Sequence, residues 1–135
     1  MVGVADGDTI KVMHNGKAEK IRLHGIDCPE KAQPYGTKAK QFTSAMVFGK
    51  AVTVQVRGFD KYGRTIGDVL LPDGRNLNRE LVAAGLAWWY RQYAPQDDTL
   101  RKLEDSARRE KRGLWADPNP VRPWEWRKEQ RTKVR

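Results

Sequence analysis

Three short segments carry most of the side chains that could do acid, base or phosphate chemistry: "DGDT" at Asp6–Thr9, "RLHGIDCPE" at Arg22–Glu30 and "DKYGR" at Asp60–Arg64. The carboxylates Asp6, Asp8, Asp27 and Glu30 fall at strand ends and turns, where side chains from separate strands can converge. Carboxylates brought together repel one another unless a cation or an arginine intervenes. A hard divalent ion with oxygen ligands relieves that repulsion, and calcium suits it best because it accepts irregular geometry and backbone carbonyls. Taken alone, "DGD" reads first as an ordinary Asp-Gly turn with solvated charges. Arg22 and Arg64 add two planar guanidinium groups, each able to grip phosphate oxygens in a bidentate fashion. Either arginine alone reads as a surface charge; two of them flanking an acidic cluster point toward a phosphate.

Other chemistries find little support. No Walker loop, HExxH pair or complete EF-hand loop occurs, and the chain has only two histidines. A thiol nucleophile at Cys28 with His24 as its base lacks the third group that would orient the base.

The elements that must position these groups follow from periodicity. Residues 1–24 alternate apolar and polar, with Ile10, Val12, Ile21 and Leu23 facing inward and Arg22 outward. "HNGK" at His14–Lys17 is a tight hairpin turn, since Asn-Gly tolerates the positive φ such turns require. The period changes over 37–48, where Ala39, Phe42 and Met46 recur at helical spacing and Gly49 supplies a stop. Residues 51–57 alternate again, with Val52, Val54 and Val56 on one face, and a second strand runs from Arg64 to Leu71. Asn76 caps a helix from about Leu77 to Ala84. Asp97, Asp98 and Thr99 open another, with Leu100, Leu103 and Ala107 on its apolar side and Gly113 at its end. The aromatic run Trp88, Trp89 and Tyr90 reads as core between helix and barrel rather than as a base-stacking platform. The strands lie too close for crossover helices. The expected fold is therefore α+β and mostly β: a five-stranded, partly open OB-fold barrel with about three α-helices. It occupies residues 1–116, and residues 117–135 form a basic tail rich in proline and tryptophan, expected to be extended, with Trp115, Trp124 or Trp126 docked back.

The chain has 135 residues and a net charge of +9, which favours a polyanionic partner, nucleic acid before acidic membrane. Its single cysteine excludes an internal disulfide and leaves the redox compartment open. No apolar run approaches the ~20 residues of a membrane span. No signal peptide is visible, and the abrupt start "MVGVADGDTI" suggests trimming from a longer precursor.

Taken jointly, "VADGDTIKV", "IRLHGIDCPE", "QPYG", "DKYGR" and "NRELVAAGLA" occur in an order and spacing that resembles the staphylococcal nuclease (thermonuclease-like) family, from the first strand to about Trp115. The resemblance implies a calcium-dependent nuclease that cleaves DNA and RNA with little sequence specificity, prefers single strands and leaves 3′-phosphate ends. By the same resemblance Asp8 and Asp27 are the calcium carboxylates, Cys28 supplies a backbone carbonyl and Asp6 lies in the outer shell. Glu30 is the base that activates water, and Arg22 and Arg64 bind the scissile phosphate. Lys61 and Tyr62 contact a second phosphate, and Tyr93 lies near the nucleotide. The resemblance further implies a monomer, no membrane partner, and a secreted or periplasmic setting.

One strand and its turn then supply Arg22 for phosphate, Asp27 for metal and Glu30 for water, with Pro29 limiting the turn's freedom. The short stretch Lys31–Pro34 and Arg91, where the best-known member has a longer lysine-rich loop and a tyrosine, bear on substrate affinity rather than on reaction class. The alternative from another class is a noncatalytic OB-fold module that binds single-stranded nucleic acid. Retention of Asp8, Arg22, Asp27, Glu30 and Arg64 favours the enzyme.

Overall fold

The computed structural model describes residues 3–133. Four strands come first: β1 (Gly3–Asp6), β2 (Thr9–His14), β3 (Lys17–Leu23) and the short β4 (Ile26–Asp27). Helix α1 (Gly36–Val47) follows, then β5 (Thr53–Phe59), β6 (Thr65–Leu70), α2 (Leu77–Ala83) and β7 (Trp88–Trp89). Helix α3 (Asp98–Arg109), a 3₁₀ turn at Gly113–Ala116 and α4 (Pro123–Lys133) complete the order.

The main sheet runs β1-β2-β3-β6-β5, and β4 pairs with β7 in a second, two-stranded sheet. β2 and β3 form the expected hairpin, with Asn15 at φ 51° and Gly16 at φ 77° making its turn. Both values lie in the left-handed region that Asn-Gly tolerates. β3 and β6 are parallel, pairing Arg22 with Ile66, while the other neighbours in the sheet are antiparallel. The architecture is the mixed α+β, OB-like one expected from the strand order, with the edges β1 and β5 unpaired among the described residues, so that the barrel stays open.

Ile10, Ile21, Leu23, Ile26, Val69, Leu77, Leu81 and Leu100 are at most 2% exposed and form the centre of the core. Helix α1 buries Ala39, Thr43 and Val47, a four-residue repeat that puts one face on the sheet. Asn76 caps α2 by accepting from the Arg79 amide, and Asp97 caps α3 by accepting from the Leu100 amide. Trp88, Trp89 and Tyr90 are buried, as expected of core rather than of a stacking platform.

Two expectations are corrected. Val56 does not share the half-burial of Val52 and Val54; it is 56% exposed although the register runs unbroken from Val54 to Val56, because its cross-strand partner is Gly67, which has no side chain to cover it. The tail is not extended: Pro123 opens the fourth helix, α4. Proline is well tolerated at the first helical position, where its missing N–H would have no intrahelical acceptor anyway. Trp124 brings this helix onto the domain, its ring stacked on Tyr90 at 4.7 Å with 1° between the planes.

Candidate active site

The acidic groups meet at one rim of the sheet because three turns converge there. The first is the Asp6–Thr9 turn between β1 and β2. Thr43 of α1 donates its hydroxyl to the Gly7 carbonyl at 2.6 Å. A Cβ on Gly7 would fall 2.8 Å from Cβ of Ala39 and 2.9 Å from Sγ of Cys28, so the helix approaches this turn as closely as only glycine allows. The second is the His24–Gly25 turn that leads into β4. Asn78 of α2, 1% exposed, donates to the His24 carbonyl at 2.9 Å and accepts from the Val69 amide at 3.2 Å. The third lies between β4 and α1. There Gln33 accepts from the Glu30 amide at 3.1 Å, while its own amide donates to the Glu30 carbonyl at 2.8 Å.

These anchors place Asp6, Asp8, Asp27, Glu30, Arg22 and Arg64 around one cleft of about 260 Å³, with Tyr90, Tyr93 and Arg127 completing its walls. Asp8 and Asp27 are 7% and 0% exposed. Asp8 accepts from the Cys28 amide at 2.8 Å, a bond between residues twenty apart that locks the first turn to the third. Arg22 lies on the strand face opposite Ile21 and Leu23, as the alternation requires, but its side chain is only 15% exposed. It donates to the carbonyls of Leu23 and Ile26 at 3.0 Å each and lies 3.4 Å from both Asp8 and Asp27. The guanidinium is thus held by two neutral oxygens and two carboxylates, which fixes its plane.

The titration of the cluster reflects this crowding. Burial, reinforced by the hydrogen bond and charge of Asp8, pushes Asp6 up to about 7. Burial raises Asp27 to about 6, with the charge of Asp8 adding to it and Arg127 opposing it. Burial also works against charge on Asp8, but the Arg22 guanidinium and the hydrogen bonds it accepts outweigh that and hold it below the usual carboxylate range. The Cys28 thiol is driven well above its ordinary value by burial and by Asp8, which keeps it protonated and chemically quiet.

Arg64 faces the cleft from the turn before β6. Asp60 holds its Nε and also accepts from the amides of Tyr62 and Arg64 at 2.9 Å each. Asp60 thus engages Nε and leaves the two Nη nitrogens without a hydrogen bond among the described residues. Lys61 and Tyr62 do not line the acidic cleft. They line a neighbouring one of about 600 Å³ that shares Arg22, Arg64 and Tyr93 with it and also includes Arg57 and Phe59. Tyr62 and Tyr93 are 73% and 67% exposed, so their rings are open to a ligand.

The sequence profile described as "Staphylococcal nuclease homologue" matches residues 20–117. The chain belongs to the staphylococcal nuclease family. An uncharacterized endonuclease of Escherichia coli is 50% identical over 127 residues, covering 94% of this chain and 82% of that protein. A micrococcal nuclease of Shigella flexneri is 40% identical over 137 residues, covering 95% and 79% respectively. A staphylococcal-like nuclease of Arabidopsis thaliana is 44% identical over 115 residues, 85% of this chain and 35% of that longer protein.

Of the residues expected from the sequence, Asp6, Asp8, Arg22, Asp27, Cys28, Glu30, Arg64 and Tyr93 line a single cleft within the family's fold. Three contributors carried no sequence signal for the site. Asn78 lies inside a helical pattern, Gln33 in a short loop, and Arg127 in the tail beyond the residues matched to the family. Arg127 is the least expected: its guanidinium donates to Asp27 at 2.7 Å and to Glu30 at 2.7 Å.

Proposed function

We propose that this protein is a calcium-dependent nuclease that hydrolyses phosphodiester bonds of DNA and RNA, acts preferentially on single strands as a monomer, and leaves 3′-phosphate ends. The observation that carries the reading is the convergence of Asp8, Asp27, Glu30, Arg22 and Arg64 on one cleft. A module that only bound nucleic acid would gain nothing from gathering four carboxylates where a polyanion must lie.

The donor set suits calcium. Among the described residues no three acidic, histidine or cysteine side chains form a ready-made metal cage. Asp8 and Asp27 are nevertheless buried carboxylates, and the cluster draws in two guanidinium groups, so it calls for positive charge. Asp8, Asp27 and the Cys28 carbonyl would hold the ion, with Asp6 in the outer shell and the remaining positions left to water and phosphate oxygen, a mixture calcium accepts. Bound there, it would supply Lewis-acid charge to the phosphoryl oxygens.

The chain's own residues do the rest. Arg22 and Arg64 orient the phosphate and absorb charge on its non-bridging oxygens; one such preorganised donor is worth roughly 3–4 kcal/mol. Glu30 takes a proton from the attacking water, worth about 10²–10⁴ in rate, and the departing 5′ oxygen takes up a proton. Lys61 and Tyr62 contact a second phosphate along the strand, and Tyr93 stacks on the nucleotide. Contacts that fall on the backbone read no sequence.

Heat-denatured DNA incubated with the protein and calcium should shorten, with 3′-phosphate termini, and stay intact when a chelator replaces calcium. Retarded but uncut strands under both conditions would overturn the reading in favour of a noncatalytic binder.

A further inference from the structure

Helix α4 introduces a cation into the acidic cleft. Arg127 is 34% exposed and reaches Asp27 through both terminal nitrogens, 3.2 Å to one oxygen and 2.7 Å to the other, and Glu30 at 2.7 Å. No second positive group is needed to hold the acidic turns together, since Arg22 and the Cys28 amide already join them. The arginine is brought there by a docked face. Trp124, three residues earlier and hence on the same side of the helix, stacks on Tyr90 and meets the edge of Trp88 at 5.9 Å. Just before the helix, the Val121 carbonyl accepts from the Gln33 side chain at 2.5 Å. The same Gln33 fixes the backbone of Glu30, so the tail and the candidate base share an anchor.

We propose that Arg127 is an internal competitor for the metal position: its guanidinium neutralises Asp27 and engages Glu30 until a divalent cation displaces it. The proposal rests on the reading of Asp8 and Asp27 as calcium ligands. It gives α4, which lies outside the family's matched residues, control over when the site is loaded. A cation can take Asp27 only in molecules whose Arg127 has swung away, so the apparent affinity is the intrinsic one reduced by that fraction. The swing also frees Glu30, which makes the loaded state the one in which the base is available. If Arg127 occupies the carboxylates in 90–99% of molecules, its removal tightens calcium binding by about 10–100-fold.

Calorimetric titration of the whole protein with calcium alone, without substrate, tests this. Arg127→Ala should bind calcium at least about 10-fold more tightly than wild type. Arg127→Lys should fall between them, because an ammonium keeps the charge but cannot bridge two carboxylates as a planar fork does. It also guards against a structural failure of the alanine variant. Arg109→Ala, which removes one positive charge from an exposed position on α3, controls for net charge and should match wild type. Calcium binding that is abolished by Asp27→Asn but unchanged or weaker in both Arg127 variants would overturn the competitor role and leave the calcium site standing. Absence of Asp27-dependent calcium binding in every protein would overturn both.

Discussion

Asn78→Ala removes a side chain that no reading of catalytic motifs would select, and its effect can be worked out from the contacts. Asn78 is 1% exposed and makes three hydrogen bonds: from the Val69 amide at 3.2 Å, to the His24 carbonyl at 2.9 Å and to the Gly67 carbonyl at 3.3 Å. The Gly67 carbonyl also accepts from the His24 amide at 2.9 Å, so it keeps a partner. The Val69 N–H and the His24 C=O lose theirs. A buried polar group stripped of its partner costs about 1–3 kcal/mol, so the expected destabilisation is about 2–6 kcal/mol. That is a large share of a typical domain's 5–15 kcal/mol. Urea unfolding at neutral pH should show a lower midpoint at an unchanged slope. The His24 turn leads directly into Asp27, so kcat/KM should also fall at a temperature where the variant is still fully folded. Asn78→Asp keeps the acceptor for Val69 but loses the donor and introduces a buried charge, so it should be less stable at pH 7 than at pH 4 relative to wild type. A loss below about 1 kcal/mol for Asn78→Ala, the worth of one ordinary exposed bond, would refute the view that this side chain anchors the turn.

Glu30→Gln keeps the shape of the proposed base and removes its carboxylate. It should lower kcat by about 10²–10⁴-fold with little change in KM, measured on a single-stranded substrate; an equal change in both would argue that Glu30 acts in binding. Glu104 is buried between β7 and α3, where it accepts from the Trp89 amide at 2.8 Å and from Arg108 at 3.1 Å. Burial raises its pKa despite those bonds. A carboxyl raised in the folded state favours folding when protonated, so its contribution is fully present below about 4.5 and is lost as pH rises through the raised value. The melting temperature of Glu104→Gln, which imitates the protonated form, should therefore gain on wild type between pH 4 and pH 7; a constant or narrowing gap would show that the ion pair with Arg108 dominates.

Much of the fold was legible because its signals are local. Asn15-Gly16 marks a hairpin whose φ values few other dipeptides accept, and Asn76 and Asp97 cap helices through amides only three residues away. Alternation around Ile10, Ile21 and Leu23 assigns the core face of the hairpin. The exposed Val56 escaped the same logic because alternation names a face but not what covers it, and the residue paired across from Val56 is Gly67. Composition misread the tail: prolines suggest extension, yet Pro123 stands at the one helical position where its missing N–H matters least.

For the site, the sequence by itself determined the chemical inventory: which carboxylates and arginines are present, in which short turns, and the family they place the chain in. Arg22, Asp27 and Glu30 fall within nine consecutive residues, so they could be grouped on sight. Only the tertiary structure decided what surrounds them. The lock between Asp8 and Cys28, the grip of Asn78 on His24, and above all Arg127 against Asp27, a hundred residues away, depend on how the sheet and helices pack. Contacts of that span leave no period or spacing along the chain. They arise when burial of unrelated apolar faces, such as Trp124 on Tyr90, carries a charged neighbour to its partner.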